Sequence, residues 1–191
     1  MGSDRVDPDH LINRVGKLYP AGVLDHELVA LPELPDRYDD LCAKIRSELG
    51  VLERREWSSF GCGYASFLES WFYKPEQQFE AEKYDSERYS YRGVSVIFSL
   101  LEPMFAIYES EKRWSDDRDN GVLPSLQCID HYESAKVKQL GLSVQTLIRV
   151  NGIPKVSKRT LSLEIDRSIK IESNLTDGDL RLFDAFFHWM D

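Results

Sequence analysis

The sequence predicts an α+β fold, a single domain over 1–191 with a mainly antiparallel sheet and helices near both termini. Three features carry that expectation. Val94, Val96, Phe98 and Leu100 alternate with Gly93, Ser95, Ile97 and Ser99, the period of two that a strand uses. Glu102-Pro103 interrupts this run as a turn, and Phe105 and Ile107 then alternate with Met104, Ala106 and Tyr108 in a second strand. Near both ends of the chain, apolar residues recur at helical spacing behind recognisable start signals.

Taken in order, Asp7-Pro8 opens the first helix, because Asp caps free N–H groups and Pro is tolerated in the first turn. Leu11, Ile12, Val15, Leu18 and Tyr19 follow on one face until Pro20. Pro32 and Pro35 bracket a connector. Asp36 with Asp39 then reads as a capping pair ahead of Tyr38, Leu41, Ile45 and Leu49, and Gly50 is the expected terminator. Residues 51–59 suit a charge-rich edge strand. In the aromatic stretch that follows, Tyr64, Phe67, Leu68, Trp71 and Phe72 fit a helix face, with a strand as the alternative because aromatic residues favour both. Residues 76–87 are polar and acidic and predict a loop or a short exposed helix.

Beyond the central hairpin, residues 109–120 read as a charged connection ending in the turn signal Asn120-Gly121. Asp130 and Glu133 resemble a capping box for a helix over 131–140 that Gly141 ends. Residues 142–150 alternate as a strand, Asn151-Gly152 suits a tight hairpin turn, and Leu161, Leu163 and Ile165 return as the next strand. Thr176, with Asp177 and Asp179, caps a last helix carrying Leu180, Leu182, Phe183, Phe186, Phe187, Trp189 and Met190. Its apolar circumference implies docking on the sheet or cover by a partner.

Composition narrows the function. With 191 residues, 42% hydrophobic and 12% aromatic, the chain is large and apolar enough to bury a core. Its longest apolar runs fall far short of the roughly 20 residues a membrane helix needs. The polar opening MGSDRVDPDH has no apolar leader pattern, so the expected location is the cytoplasm. The net charge of −9 disfavours nonspecific binding to nucleic acid or anionic membrane and suits a basic protein partner. That charge is uneven: residues 136–170 hold eight basic and two acidic residues, a net +6 that leaves −15 elsewhere. Cys42, Cys62 and Cys128 are odd in number and lack CxxC spacing, which points to reduced thiols in place of a disulfide framework or an all-cysteine zinc site.

Candidate chemistry is sparse. Cys62 sits between two glycines ahead of an expected helix, where a thiol pKa falls, and His131 beside Asp130 supplies a base for it. The plainer reading makes Cys62 a small packed residue in a tight turn. Asp25-His26-Glu27 and Asp130-His131-Tyr132-Glu133 cluster possible ligands, but neighbours in sequence cannot all face one ion, and neither HExxH nor HxxxH is present. No metal or other cofactor is expected, and no phosphate-binding glycine motif occurs. Arg149, Lys155, Lys158 and Arg159 on the expected basic hairpin lack interleaved aromatics, so nucleic acid is the weaker partner.

The aromatic surplus is more informative. Tyr84, Tyr89 and Trp114, with Asp116 and Asp117, place large amphipathic rings in acidic surroundings, a composition suited to anchoring a protein partner. The rings could equally fold back over the sheet and show only their polar tips. The function expected is therefore a non-enzymatic cytoplasmic module that binds a basic protein. Compact acidic α+β chains without a catalytic signature are common among bacterial immunity proteins that neutralise a toxin, an analogy of size, charge and missing motifs. The alternative is a cysteine-dependent enzyme using Cys62 and His131.

Overall fold

The computed structural model describes residues 6–22, 24, 31–56, 64–83, 89–115, 118–119, 124–171 and 179–190. At its centre, β5 (Tyr89–Ser99) and β6 (Phe105–Ser115) form an antiparallel hairpin in register from Tyr89↔Trp114 to Phe98↔Phe105. Residues 109–115, expected as a charged connection, instead continue β6. The alternation persists there with charge in place of apolar groups: Ile107, Glu109 and Glu111 fall on one face, Tyr108, Ser110 and Lys112 on the other.

The other edge of β5 pairs first with β3 (Phe67–Tyr73) and then with β4 (Glu80–Lys83). The stretch expected to be a loop or exposed helix thus becomes a 3₁₀ turn, Gln77–Phe79, which buries Phe79, followed by that strand. The edge strand expected near residue 51 is β1 (Leu52–Glu56), paired with β3, and β7 (Arg118–Asp119) folds back to pair antiparallel with the last residues of β6. The aromatic stretch is strand, not helix: β2 (Tyr64–Ala65) precedes β3, whose residues 67–72 are buried on both faces. When nearly every position is apolar, a helical period fits by default, and only pairing decides.

Each face of the sheet carries its own layer. On the first, Phe72, Val94, Val96, Phe98, Phe105 and Ile107 lie under helices α2 (Glu33–Leu49) and, from the C-terminal half, α3 (Ala135–Val150). The Tyr38 ring stacks on Phe98 with centroids 4.6 Å apart, and its hydroxyl donates to the Ser99 carbonyl at 2.7 Å. On the second face, Phe67, Ile97, Ala106 and Tyr108 meet α1 (Pro8–Leu18) and the C-terminal segment. Helix α1 begins as expected, with the Asp7 carboxylate accepting from the Asp9 N–H at 3.1 Å. Helix α2 starts three residues before Asp36, at Glu33, because Pro35 falls in its first turn where no N–H is needed; it ends at Gly50, whose φ of 59° suits glycine.

The C-terminal half departs most from expectation. Ser134 caps α3, accepting from the Val137 N–H, and the helix passes straight through Gly141. A Cβ built on Gly141 would stand 2.5 Å from the Tyr132 hydroxyl oxygen, so this glycine exists for close packing and not for termination. Residues 142–150 are therefore helix where a strand was expected, and Asn151-Gly152 closes that helix, with φ of 81° at Gly152. No basic hairpin forms: the chain runs through an isolated parallel bridge, Phe105↔Lys155, into α4 (Lys158–Leu161). Of the strand expected at Leu161, Leu163 and Ile165, Leu161 falls in α4 and the rest forms no strand beyond a single bridge, Glu164↔Arg181. Thr176 and Asp177 lie outside the described residues; the last helix, α5 (Leu182–Phe186), begins later, with the Asp184 carboxylate accepting the Arg181 N–H at 2.7 Å. It is short because the chain then turns into β8 (Trp189–Met190), which pairs with β2. Docking on the sheet, one of the two fates expected for this apolar segment, is what the burial of residues 182–188 shows.

Candidate functional site

The hairpin register brings two of the aromatic candidates together. Tyr89 and Trp114 are directly opposite each other at the open end of β5 and β6, and β7 pairs Asp119 with Trp114 and Arg118 with Ser115. Tyr84, Asp116, Asp117 and Cys62 lie outside the described residues.

Nearer the core, a cavity of about 270 Å³ opens beside β6, lined by Arg92, Tyr108, Glu109, Ser110, Glu111, Cys128, His131 and Glu133. Its rim is built by the chain laying residues 130–131 along the strand edge. The Asp130 N–H donates to the Ile107 carbonyl at 2.9 Å, and the Glu109 N–H donates to the His131 carbonyl at 3.0 Å. Asp130 takes a left-handed backbone, φ 62°, which a short polar side chain tolerates. Its carboxylate accepts the Lys158 N–H at 2.9 Å and lies 2.6 Å from the Lys155 ammonium, locking the turn.

Glu109 ties the strand to α3. One carboxylate oxygen accepts the Glu133 and Ser134 N–H groups, each at 2.9 Å, at the end of the helix where the dipole favours negative charge. The Arg92 guanidinium donates to Glu133 at 2.9 Å and reaches Glu109 at 3.5 Å. Two carboxylates, Glu109 and Glu133, thus hold one guanidinium, and Glu111 lines the same cavity, so acidic groups outnumber the one arginine at its mouth. His131 and Glu133 are 63% and 62% exposed, so this rim meets solvent.

Behind the cavity wall lies a buried polar network. Glu69 Oε1 accepts from the Ser95 hydroxyl at 2.5 Å and from the Tyr108 hydroxyl at 3.2 Å, with the Lys112 ammonium at 3.7 Å. Ser95 and Ser110 share a further hydrogen bond of 2.7 Å. Burial, with the neighbouring Glu69 second, pushes the Tyr108 hydroxyl well above its ordinary pKa, so it remains a donor. Trp71 closes the network, its ring over Gly93, where an added Cβ would come within 2.6 Å of the indole.

The arrangement offers charge and shape for recognition. Of the proposed catalytic pair, His131 lines the cavity, and the cysteine described beside it is Cys128, whose sulfur lies 3.2 Å from the Ser125 hydroxyl. Among the described residues, no group of three His, Cys, Asp or Glu side chains could hold a metal ion. Nor is any helix among them long and apolar enough to cross a membrane. Sequence reasoning missed Arg92, Glu109 and the Glu69–Lys112 pair. For Glu69 the available signal was a glutamate inside a strand that is mostly aromatic, FLESWFY. Comparison with known protein families, with curated proteins and with solved structures finds no match for this chain.

Proposed function

We propose that this chain is a non-enzymatic, cytoplasmic protein-binding module that holds a basic partner at the open end of its central hairpin, in the manner of a bacterial immunity protein neutralising a toxin. The observation that carries this reading is the register pairing of Tyr89 with Trp114. Two aromatic residues opposite each other on one strand pair make a compact anchor, because large rings bury much area while losing little rotamer freedom. The acid-rimmed cavity further along the same hairpin supplies steering for a cationic partner, which raises the rate of encounter more than the final affinity.

The test is capture of tagged protein from its native lysate at low and high salt. One basic protein in stoichiometric amount, lost from a Tyr89→Ala/Trp114→Ala chain, is the expected result. Return of the bait alone overturns the reading. The alternative, catalysis by Cys62 with His131, draws on the position of His131 in the cavity. It requires Cys62 to alkylate at neutral pH much faster than Cys42 and Cys128, and equal rates dismiss it.

A further inference from the structure

The cavity beside β6 draws on both faces of the strand. Glu109 and Glu111 lie on one face and Tyr108 and Ser110 on the other, and all four line it. They can do so because the segment bonded along the strand edge at Asp130 and His131 closes over both faces. With His131 neutral, the lining carries three carboxylates and the single guanidinium of Arg92, a net −2. The carboxylates are graded in depth: the Glu109 side chain is 6% exposed and that of Glu133 is 62% exposed. A cation entering past Glu133 therefore meets charge in progressively drier surroundings, where each charge counts for more.

Hydrogen-bond direction on the cavity wall favours the same kind of ligand. The Ser95 hydroxyl commits its proton to Glu69 Oε1 at 2.5 Å, so in the 2.7 Å contact between Ser95 and Ser110 the donor is Ser110. The Ser110 oxygen is left with lone pairs alone. Tyr108 likewise donates its proton to Glu69, at 3.2 Å. Neither wall hydroxyl has a proton to offer a ligand, and ionised carboxylates only accept. Arg92, the arginine of this lining, is held by Glu109 and Glu133. An anion would thus meet a surplus of negative charge and no hydroxyl donor, whereas a cation rich in donors meets acceptors. The volume of about 270 Å³ lies below the roughly 300–1,000 Å³ of pockets that enclose a drug-sized molecule, and suits one side chain.

We propose that this cavity receives a single arginine side chain of the basic partner, an inference that rests on the reading of the chain as a binder of such a protein. Arginine brings a rigid fork of N–H donors and no acceptor, the converse of this lining, whereas lysine is a point charge on a flexible stem. Glu111 and Glu133 supply the attracting charge and the Ser110 oxygen an acceptor, while Glu109 stays bonded to the Glu133 and Ser134 N–H groups. Arg92 offsets one of the three carboxylates and leaves the net charge that a second guanidinium can fill. Cys128 lines the same space, so an occupant shields its thiol.

Titration of the purified full chain with N-acetyl-argininamide, and with its uncharged isostere N-acetyl-citrullinamide, tests this without the partner. The expected result is a Kd of about 1–10 mM for the arginine probe at low salt and binding of the citrulline probe at least about tenfold weaker. Alkylation of Cys128 should slow with the first probe only. Glu111→Gln/Glu133→Gln, which takes the lining from a net −2 to neutral, should lose at least about tenfold in affinity for the arginine probe. Should that variant fail to fold, the comparison of the two probes on the wild type still decides. Equal binding of the probes, an unprotected Cys128 or a folded variant with unchanged affinity overturns the proposal. So does butylguanidinium bound at least about tenfold tighter than the arginine probe, which assigns the cavity to a free small cation. A captured basic partner that the variant binds as tightly as the wild type does overturns the role of the cavity alone. Probe binding as expected with no partner captured supports the selectivity of the cavity and overturns the reading of the chain as a protein binder.

Discussion

The two ends of the central hairpin are made of the same strands and do opposite things. At the turn end, Ile97, Phe98, Phe105, Ala106 and Ile107 are fully buried, gripped from one side by α2 and α3 and from the other by α1 and the C-terminal segment. At the open end the same alternation carries Arg92, Glu109, Glu111 and Lys112, and the register ends on Tyr89 opposite Trp114. A strand pair keeps its hydrogen-bond ladder whatever its side chains are. One end can therefore found the apolar core while the other carries charge, with Lys112 buried against Glu69 and with Arg92 and Glu111 lining the cavity. The difference predicts a gradient of stability effects along the hairpin, and each variant below would break that gradient if it behaved otherwise.

The largest effect belongs to the turn end. Phe98→Ala removes a ring that stacks on Tyr38 and packs near Phe105, and should destabilise the fold by about 3–5 kcal/mol in urea denaturation. Midway along, Glu69→Gln keeps an acceptor for Ser95 and Tyr108 but removes the carboxylate charge beside the buried Lys112 ammonium, at about 1–3 kcal/mol. Adding Lys112→Met should recover part of that loss, because a buried pair replaced on both sides costs less than one broken on one side. If the double variant is as unstable as the sum of the singles, the two groups are not coupled. Glu109→Ala, which frees the Glu133 and Ser134 N–H groups, should lower stability by about 1–2 kcal/mol.

Beside the hairpin, Cys42 gives the core a pH signature. Burial first, and the Glu53 carboxylate second, push its thiol from 9.0 up to about 12. Between those values the unfolded chain releases a proton that the native state keeps, so stability falls as pH rises, by at most about 1.4 kcal/mol per unit. Urea midpoints at about pH 8 and about pH 10 should converge for Cys42→Ala relative to the wild type. An unchanged slope would mean the thiol is not buried as described.

The fold class, the first helix, the end of the second and the core of the central hairpin were legible because local signals agree there with tertiary structure, whereas the aromatic stretch read as a helix face is strand. Asp7-Pro8, Gly50 and the alternation at residues 93–100 all mean locally what they mean globally. The second half misled through glycine and through charge. Gly141 carries the usual sign of a helix end, yet it serves the Tyr132 ring, and that contact is invisible without the fold. Charged residues at 109–115 hid the second half of β6, since hydrophobicity stops where pairing does not. For the candidate site, composition singled out Tyr89 and Trp114, and only the strand register could place them together. Arg92, Glu109, Cys128 and His131 come from three separate segments, and no spacing in the sequence announces their convergence.

The most direct test of the open end as the recognition surface is calorimetric titration of the captured partner into wild type and into Tyr89→Ala/Trp114→Ala. The account predicts an affinity at least about 30-fold weaker, the size of an interface hot spot, with the melting temperature of the variant unchanged. Equal affinity in a stably folded double variant would contradict it.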